Sequence, residues 1–464
     1  MPTFEETVLD ILKRGELFRP GSPIFMARAP GRLDLMGGND DYTGGLVFEM
    51  TIREATWCAA QLRGDDRLVL RNKTAGQAGW QETVECRLED ARDAETLRRQ
   101  VNASPDVRWT AYVLGNFHYL VARYGDAIRG RGLTLYMESD VPLNKGVSSS
   151  AAIEVAVMKA ACAAYDIALQ GTDLALACQW VENVIAGSAC GVMDQITVVL
   201  GEEDSVLPLV CQPCNPEPLV WLPAEVQCWA IDSGVSHEVS GIEYEAARAA
   251  AFMGYKLICD REGLLVTPDD ASEIPRFTDP RFQGYLANLP KSLFHERYEA
   301  ALPETMTGAA YLEAAGQHVD PFTRCLSDYS YRIRANTRYA VEENDRVQLF
   351  AELARSAATD RAYRLLGDLM YQSHYAYTEC GLASAATDLL VSLARDEGPE
   401  QGIFGAKITG GGAGGTVAIL GRRDARASLD RIVARYREAR GYDPYVFEGS
   451  SIGADRFGVR RRGG

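Results

Sequence analysis

Two carboxylates twelve positions apart, Glu182 and Asp194, stand in the stretch "QWVENVIAGSACGVMDQITVVLG". The first falls in a helical pattern and the second just after it, among apolar residues. A lone aspartate there is either a helix cap or a carboxylate held to accept a hydroxyl proton. Upstream, "VPLNKGVSSSAA" sets Gly146 and three serines, Ser148 to Ser150, where a helix begins. One serine is enough to cap a first helical turn. Hydroxyls, unpaired N–H groups and the positive end of a helix dipole also gather around an anion such as phosphate. A third stretch, "ARAPGRLDLMGGNDDYTGG", crowds Arg32, Asp34, Asn39, Asp40 and Asp41 into a predicted loop with five glycines. Such residues are common in surface turns. Yet Arg32, flanked by apolar residues, is badly placed for a charge without a task, and clustered fixed acceptors suit the vicinal hydroxyls of a sugar. Finally, "KITGGGAGGTVAIL" satisfies G-x-G-x-x-G at Gly410, Gly412 and Gly415. That fingerprint needs a helix after the glycines, whereas "TVAIL" reads as a strand. The stretch is therefore a strand–loop–strand turn, lying against another backbone or a ligand's phosphates.

The elements that must position these groups are strands and helices in mixture. Short apolar or alternating runs predict strands at "PIFMARAP", "GLVFEMTIREATWCAAQL", "RLVLRN", "GLTLYMES" and "VQCWAIDSG". Helices are expected over 149–165 and 172–187, from near Ser240, through most of 328–395, and near 425–440. "FGAKIT" and "GTVAILG" read as strands flanking the glycine run. Residues 263–325, rich in Pro, Asp and aromatics without clear period, predict an irregular, partly helical insertion. The "MPTFEETVLDILKRGELF" segment is an amphipathic acidic helix, without the basic flank and apolar run of a signal peptide.

At 464 residues the chain is long enough for two domains. A net charge of −16 argues against nucleic acid as a partner, because duplex binding needs concentrated Lys and Arg. The one basic cluster, Arg460 to Arg462, reads as a solvated tail. Eleven cysteines are scattered, and only Cys211 and Cys214 form a C-x-x-C pair, without a second pair at metal spacing. No run approaches a membrane span. A reduced cytoplasmic enzyme is expected.

"APGRLDLMGGNDDYTGG", "VPLNKGVSSSAA" and "KITGGGAGGTV" stand in the order and at the spacing of the three signature motifs of the GHMP small-molecule kinases. The chain resembles the galactokinase branch most, through "CGVMDQ", "DSGVSHEVSGIEY" and "GDLMYQSHYAY". Segments such as "YLANLPKSLFHERYEAALPETMTGAAYLE" and "GYDPYVFEGSSIGADRFG" are similar to the arabinokinases within it. The resemblance implies an α/β (α+β) two-domain fold with the active site in the cleft. A ribosomal-S5-like N-terminal domain would span 1–222, and a ferredoxin-like C-terminal domain 223–464, carrying the insertion.

It also implies roles. Lys145, Gly146, Val147, Ser148, Ser149 and Ser150 would cradle the phosphates of ATP, although no Walker motif is present. Ser150 and Glu182 would hold Mg2+, and Asp194 would accept the proton of a sugar's anomeric hydroxyl, with Arg32 paired to it. Asp34, Asn39, Asp41, Gly191 and Tyr244 fall on sugar-contacting positions. The product would be a sugar 1-phosphate plus ADP. Galactokinases carry Glu-His where this chain has Gly38-Asn39, and that glutamate contacts the exocyclic 6-hydroxyl of galactose. L-Arabinose in its pyranose form lacks that group, so it is the expected sugar, with galactose and uronic acids as alternatives. A galactokinase-like sensor that signals through a protein is a further alternative, which a damaged serine loop would favour; the loop and Asp194 are both present. The expected partners are therefore a small sugar and ATP, without nucleic acid or membrane. The sequence is silent on oligomeric state.

Overall fold

A computed structural model describes residues 2–236, 241–269, 274–356 and 358–463. Helix α1 (Phe4–Arg14) starts on a capping box between Thr3 and Glu6 and stops at Gly15 in the left-handed conformation. Strands β1 (Ile24–Met36) and β2 (Leu46–Leu62) form a long antiparallel pair. Next come β3 (Arg67–Asn72), β4 (Thr83–Arg87), helix α2 (Thr110–Ile128) and β5 (Leu133–Ser139). Helix α3 (Ser149–Tyr165) is followed by α4 (Gly171–Val181), a single π turn over Glu182–Ala186, α5 (Met193–Leu200) and β6 (Ser205–Val210).

The second half holds β7 (Val226–Asp232), α6 (Ile242–Glu262), α7 (Ile333–Ser356), α8 (Asp360–Cys380) and α9 (Ala385–Glu397). It continues through β8 (Ile403–Ile408), β9 (Thr416–Arg422), α10 (Arg426–Arg440), β10 (Val446–Glu448) and β11 (Val459–Arg462).

Two sheets organise these elements. The larger runs β11-β1-β2-β5-β3-β4, with β6 also pairing β2, and the smaller runs β8-β9-β7-β10. Alanine-rich α3 is buried along nearly its whole length, against β1 and β2 on one side and α2, α4 and α5 on the other. Its small side chains let these elements approach closely, and its burial fixes where its first turn points. In the smaller sheet, α8 and α9 cover β8. The insertion is irregular, as its composition predicts, and places Phe282, Phe294, Tyr298 and Tyr311 in a separate core against α6 and α7.

Three expectations change. Arg32 and Asp34 lie on β1, not in a loop, because the strand continues past Pro30 with a shift of register and both side chains are buried. Arg460 to Arg462 form part of an edge strand paired with Ile24–Met26, although their side chains stay exposed. The helix predicted over 172–187 gives way at Glu182 to the π turn. The helix expected from near Ser240 runs from Ile242, while Ser240 lies outside the described residues.

Candidate active site

Ser148 occupies the N-cap position of α3 but in the left-handed conformation, φ 61°, and its side chain makes no capping bond. Its buried hydroxyl has no partner among the described residues. Ser148 thus does not cap the helix, and a left-handed serine is a strained backbone choice. The loop before α3 is held from both sides. The Val147 carbonyl accepts from the Arg32 amide at 3.0 Å, the Gly146 carbonyl from Arg32 Nη1 at 3.2 Å, and the Lys145 carbonyl from Thr416 Oγ1 at 2.7 Å.

Beside the loop lies a cavity of about 390 Å³. Gly146, Ser148 to Ser150, Glu182 and Asp194 all line it. Arg32 Nε donates to Asp194 Oδ1 at 2.9 Å, and Nη2 donates to the same oxygen. Glu49 stands 3.3 Å from Arg32 on the other side. Burial alone would make this guanidinium easier to deprotonate, but Asp194, Glu49 and Asp34 outweigh it and hold the cation charged.

Glu182 accepts from Gln195 Nε2 at 2.6 Å and is hydrogen-bonded to Ser150. Burial, helped by the charge of Asp194, pushes its carboxyl up to about 7 against those bonds. Behind it, Glu154 on α3 is fully buried and, mainly through burial, strongly prefers its protonated form. Asp41 is likewise pushed up to about 7, first by burial and then by the charge of Asp194. It sits hard against Gly191, where any Cβ would collide with its carboxylate.

Asn39, Asp41, Gly191 and Tyr244 line the same cavity as Arg32 and Asp194. The Tyr244 hydroxyl does not point free: it donates to the Ala189 carbonyl at 2.9 Å, which also accepts from Arg248 at 2.8 Å. Asp34, expected among the sugar contacts, does not reach the cavity. Its carboxylate is wholly buried, with Lys407 Nζ at 2.6 Å and the amides of Gly38 and Gly410 at 3.2 and 3.1 Å. It ties the first motif to the glycine hairpin. Lys145 and Val147 also turn away: Lys145 Nζ meets Asp232 at 3.0 Å, and the Val147 side chain is in the core. They contribute backbone to the loop's shape.

The cavity is also lined by residues that sequence reasoning missed, Trp80, Trp109, Tyr112 and Arg108, with the short polar side chains Asn72 and Thr74. No local pattern marks them, since no aromatic residue stands between Trp80 and Trp109 in sequence; what brings them together is tertiary. Among the described residues no group of three or more His, Cys, Asp or Glu side chains is placed to hold a metal ion alone. None of their helices is long and apolar enough to cross a membrane.

A mixed sheet backed by a buried helix, an uncapped serine turn and an Arg–Asp pair thus meet at one cavity. Three family models match: the GHMP kinases N terminal domain over 111–202, the galactokinase galactose-binding signature over 16–62, and the GHMP kinases C terminal over 349–438. The chain belongs to the GHMP kinase family, in its galactokinase branch. It is 39% identical to L-arabinokinase of Arabidopsis thaliana over 99% of its own length, and it spans about half (49%) of that relative. It is 31% identical to galactokinase of Chloroflexus aurantiacus, covering 91% of each chain. The crystal structure of Lactococcus lactis galactokinase complexed with galactose has the same fold, with TM-score 0.76 and 20% identity over 96% of this chain and 99% of that one.

Proposed function

We propose that the chain is an ATP-dependent sugar 1-kinase that phosphorylates the anomeric hydroxyl of L-arabinose. The observation that carries the kinase reading is the uncapped, left-handed start of α3, with its orphaned Ser148 hydroxyl, in the same cavity as the Arg32–Asp194 pair. Phosphoryl transfer asks mainly for in-line positioning and charge neutralisation. In this reading Gly146 and Ser148 to Ser150 receive the phosphates with the dipole of α3 behind them. The adenine lies toward Trp80, Trp109 and Tyr112.

The sugar lies among Asn39, Asp41, Gly191 and Tyr244, its anomeric oxygen at Asp194. That oxygen bonds to the γ-phosphorus as the bond to the β-phosphate oxygen breaks, and its proton passes to Asp194. Arg32 keeps Asp194 ionised beforehand and offsets charge during transfer.

The residues present fit Mg2+. A hydroxyl and a carboxylate, Ser150 and Glu182, face the cavity as hard oxygen donors, leaving other positions to phosphate oxygens and water. When bound, the ion would neutralise phosphate charge. The same proposal divides the chain after 222, supported by the change of sheet between β6 and β7, and includes a cytoplasmic setting, supported by eleven free thiols.

L-Arabinose rests on the 39% identity to L-arabinokinase and on Gly38, which offers no acidic side chain. A coupled assay with ATP across L-arabinose, D-galactose and D-galacturonate tests it. A kcat/KM favouring galactose by more than about tenfold, near 1.4 kcal/mol, would replace arabinose by galactose. No turnover with any free sugar, despite ATP binding, would favour the sensor.

A further inference from the structure

Gly38 is buried beside Asn39, which lines the cavity. A Cβ built there would run into the Tyr377 hydroxyl and lie 2.9 Å from both Asp34 Oδ2 and the Gly410 carbonyl. Tyr377 comes from α8, far away in sequence, and is fully buried. Its hydroxyl accepts from the Asn39 amide at 3.0 Å and donates to the Gly410 carbonyl at 2.6 Å. The ring cannot swing aside. Tyr339 meets it edge-on with centroids 5.3 Å apart, and Lys407 Nζ lies 5.3 Å from its centre while bonded to Asp34. The Asn39 side chain, in turn, donates to the Gly411 carbonyl at 3.2 Å, and both residues line the cavity.

We propose that Tyr377 is a specificity-determining residue. Its hydroxyl fills the space that a side chain at position 38 would need, and pins the backbone of Asn39 and Gly410 directly behind the sugar. The acceptor is therefore met at this end by an amide and backbone, and an exocyclic hydroxymethyl finds neither room nor an acidic partner. A site that buries a sugar hydroxyl unpaired discriminates against it, while a sugar without that group loses nothing. Tyr377 acts through Asn39 and Gly410 and does not touch the reacting atoms, so it is a positioning residue. The inference rests on the sugar-kinase reading above and names what selects the sugar within it.

The experiment compares kcat/KM for L-arabinose and D-galactose, with ATP KM alongside, in wild type, Tyr377→Phe and the double variant Gly38→Glu/Tyr377→Leu. The double variant opens the space and supplies a carboxylate, so its preference for arabinose over galactose should fall by at least about tenfold with ATP KM held. A folded double variant whose preference is unchanged within about twofold overturns the proposal. Should it fail to fold, Tyr377→Phe decides, since it keeps the ring and removes both bonds. The KM for L-arabinose should then rise roughly fivefold with ATP KM unchanged, and an unchanged sugar KM overturns the proposal. If wild type itself prefers galactose, the substrate reading falls, but the change in preference on substitution still judges Tyr377.

Discussion

Replacing Asp194 by asparagine keeps the shape of the side chain and removes its ability to take a proton. Asp194 Oδ1 accepts from both Arg32 Nε, at 2.9 Å, and Nη2. An amide oxygen can still accept from one of them, and Arg32 keeps Glu49 at 3.3 Å and the Gly146 carbonyl at 3.2 Å. The guanidinium is therefore not stranded, and the loss of stability should stay near 1–3 kcal/mol, the range for a weakened charged hydrogen bond. Catalysis suffers more. A positioned general base contributes about 10²- to 10⁴-fold, which is about 2.7–5.4 kcal/mol of barrier. The assay is kcat with saturating sugar and ATP, together with nucleotide affinity by calorimetry and the unfolding midpoint. We expect kcat to collapse with ATP affinity nearly intact and the protein folded. A variant retaining more than roughly a third of wild-type kcat refutes the base assignment, because that change is far below the expected range.

Glu182→Ala should raise the magnesium concentration needed for half-maximal activity, and an unchanged magnesium titration would remove Glu182 from the site. Asp34→Asn leaves Lys407 buried without its counter-charge, so stability should fall by about 3–5 kcal/mol in denaturant titration, as for other broken buried pairs. Asp41 is held near 7 by burial, whereas it ionises near 4 when unfolded. Between those values the folded protein keeps a proton that the unfolded chain has lost, so this group lowers stability as pH rises toward 7 by about 1.4 kcal/mol per unit. Asp41→Asn should consequently be more stable than wild type at pH 8, with the gain shrinking toward pH 5, while sugar affinity is lost; a pH-independent difference in unfolding midpoint would contradict the burial argument.

What the sequence makes legible is local. The bounds of α3 follow from small apolar residues starting at a Gly-Ser turn, and the hairpin nature of 407–420 follows from a strand pattern on both sides of the glycines. The awkwardness of a charge inside "APGRLDLM" is enough to mark Arg32 as a residue with partners. Asp34 carries the same local signal and misleads, because its partner Lys407 is 373 positions away and no spacing rule reaches that far. Trp80 and Trp109 are ordinary core-like aromatics until the fold lines a cavity with them. Gly38 reads as a turn glycine, and only Tyr377 gives it another reason.

Strand β1, which carries Arg32, pairs β2 along its length and β11 only over Ile24–Ala27, and β11 is translated more than 400 residues later. On the ribosome, with elongation at about 5–20 residues per second, the edge from Ile24 to Ala27 stays open for on the order of tens of seconds. An unpaired strand edge is a template for adding another chain. The strand that carries Arg32 thus acquires this neighbour only after residues 459–462 have been synthesised, so the edge of the larger sheet closes late, and nascent chains interrupted before residue 459 would present that edge to a nanobody or a β-strand peptide as a transient docking point.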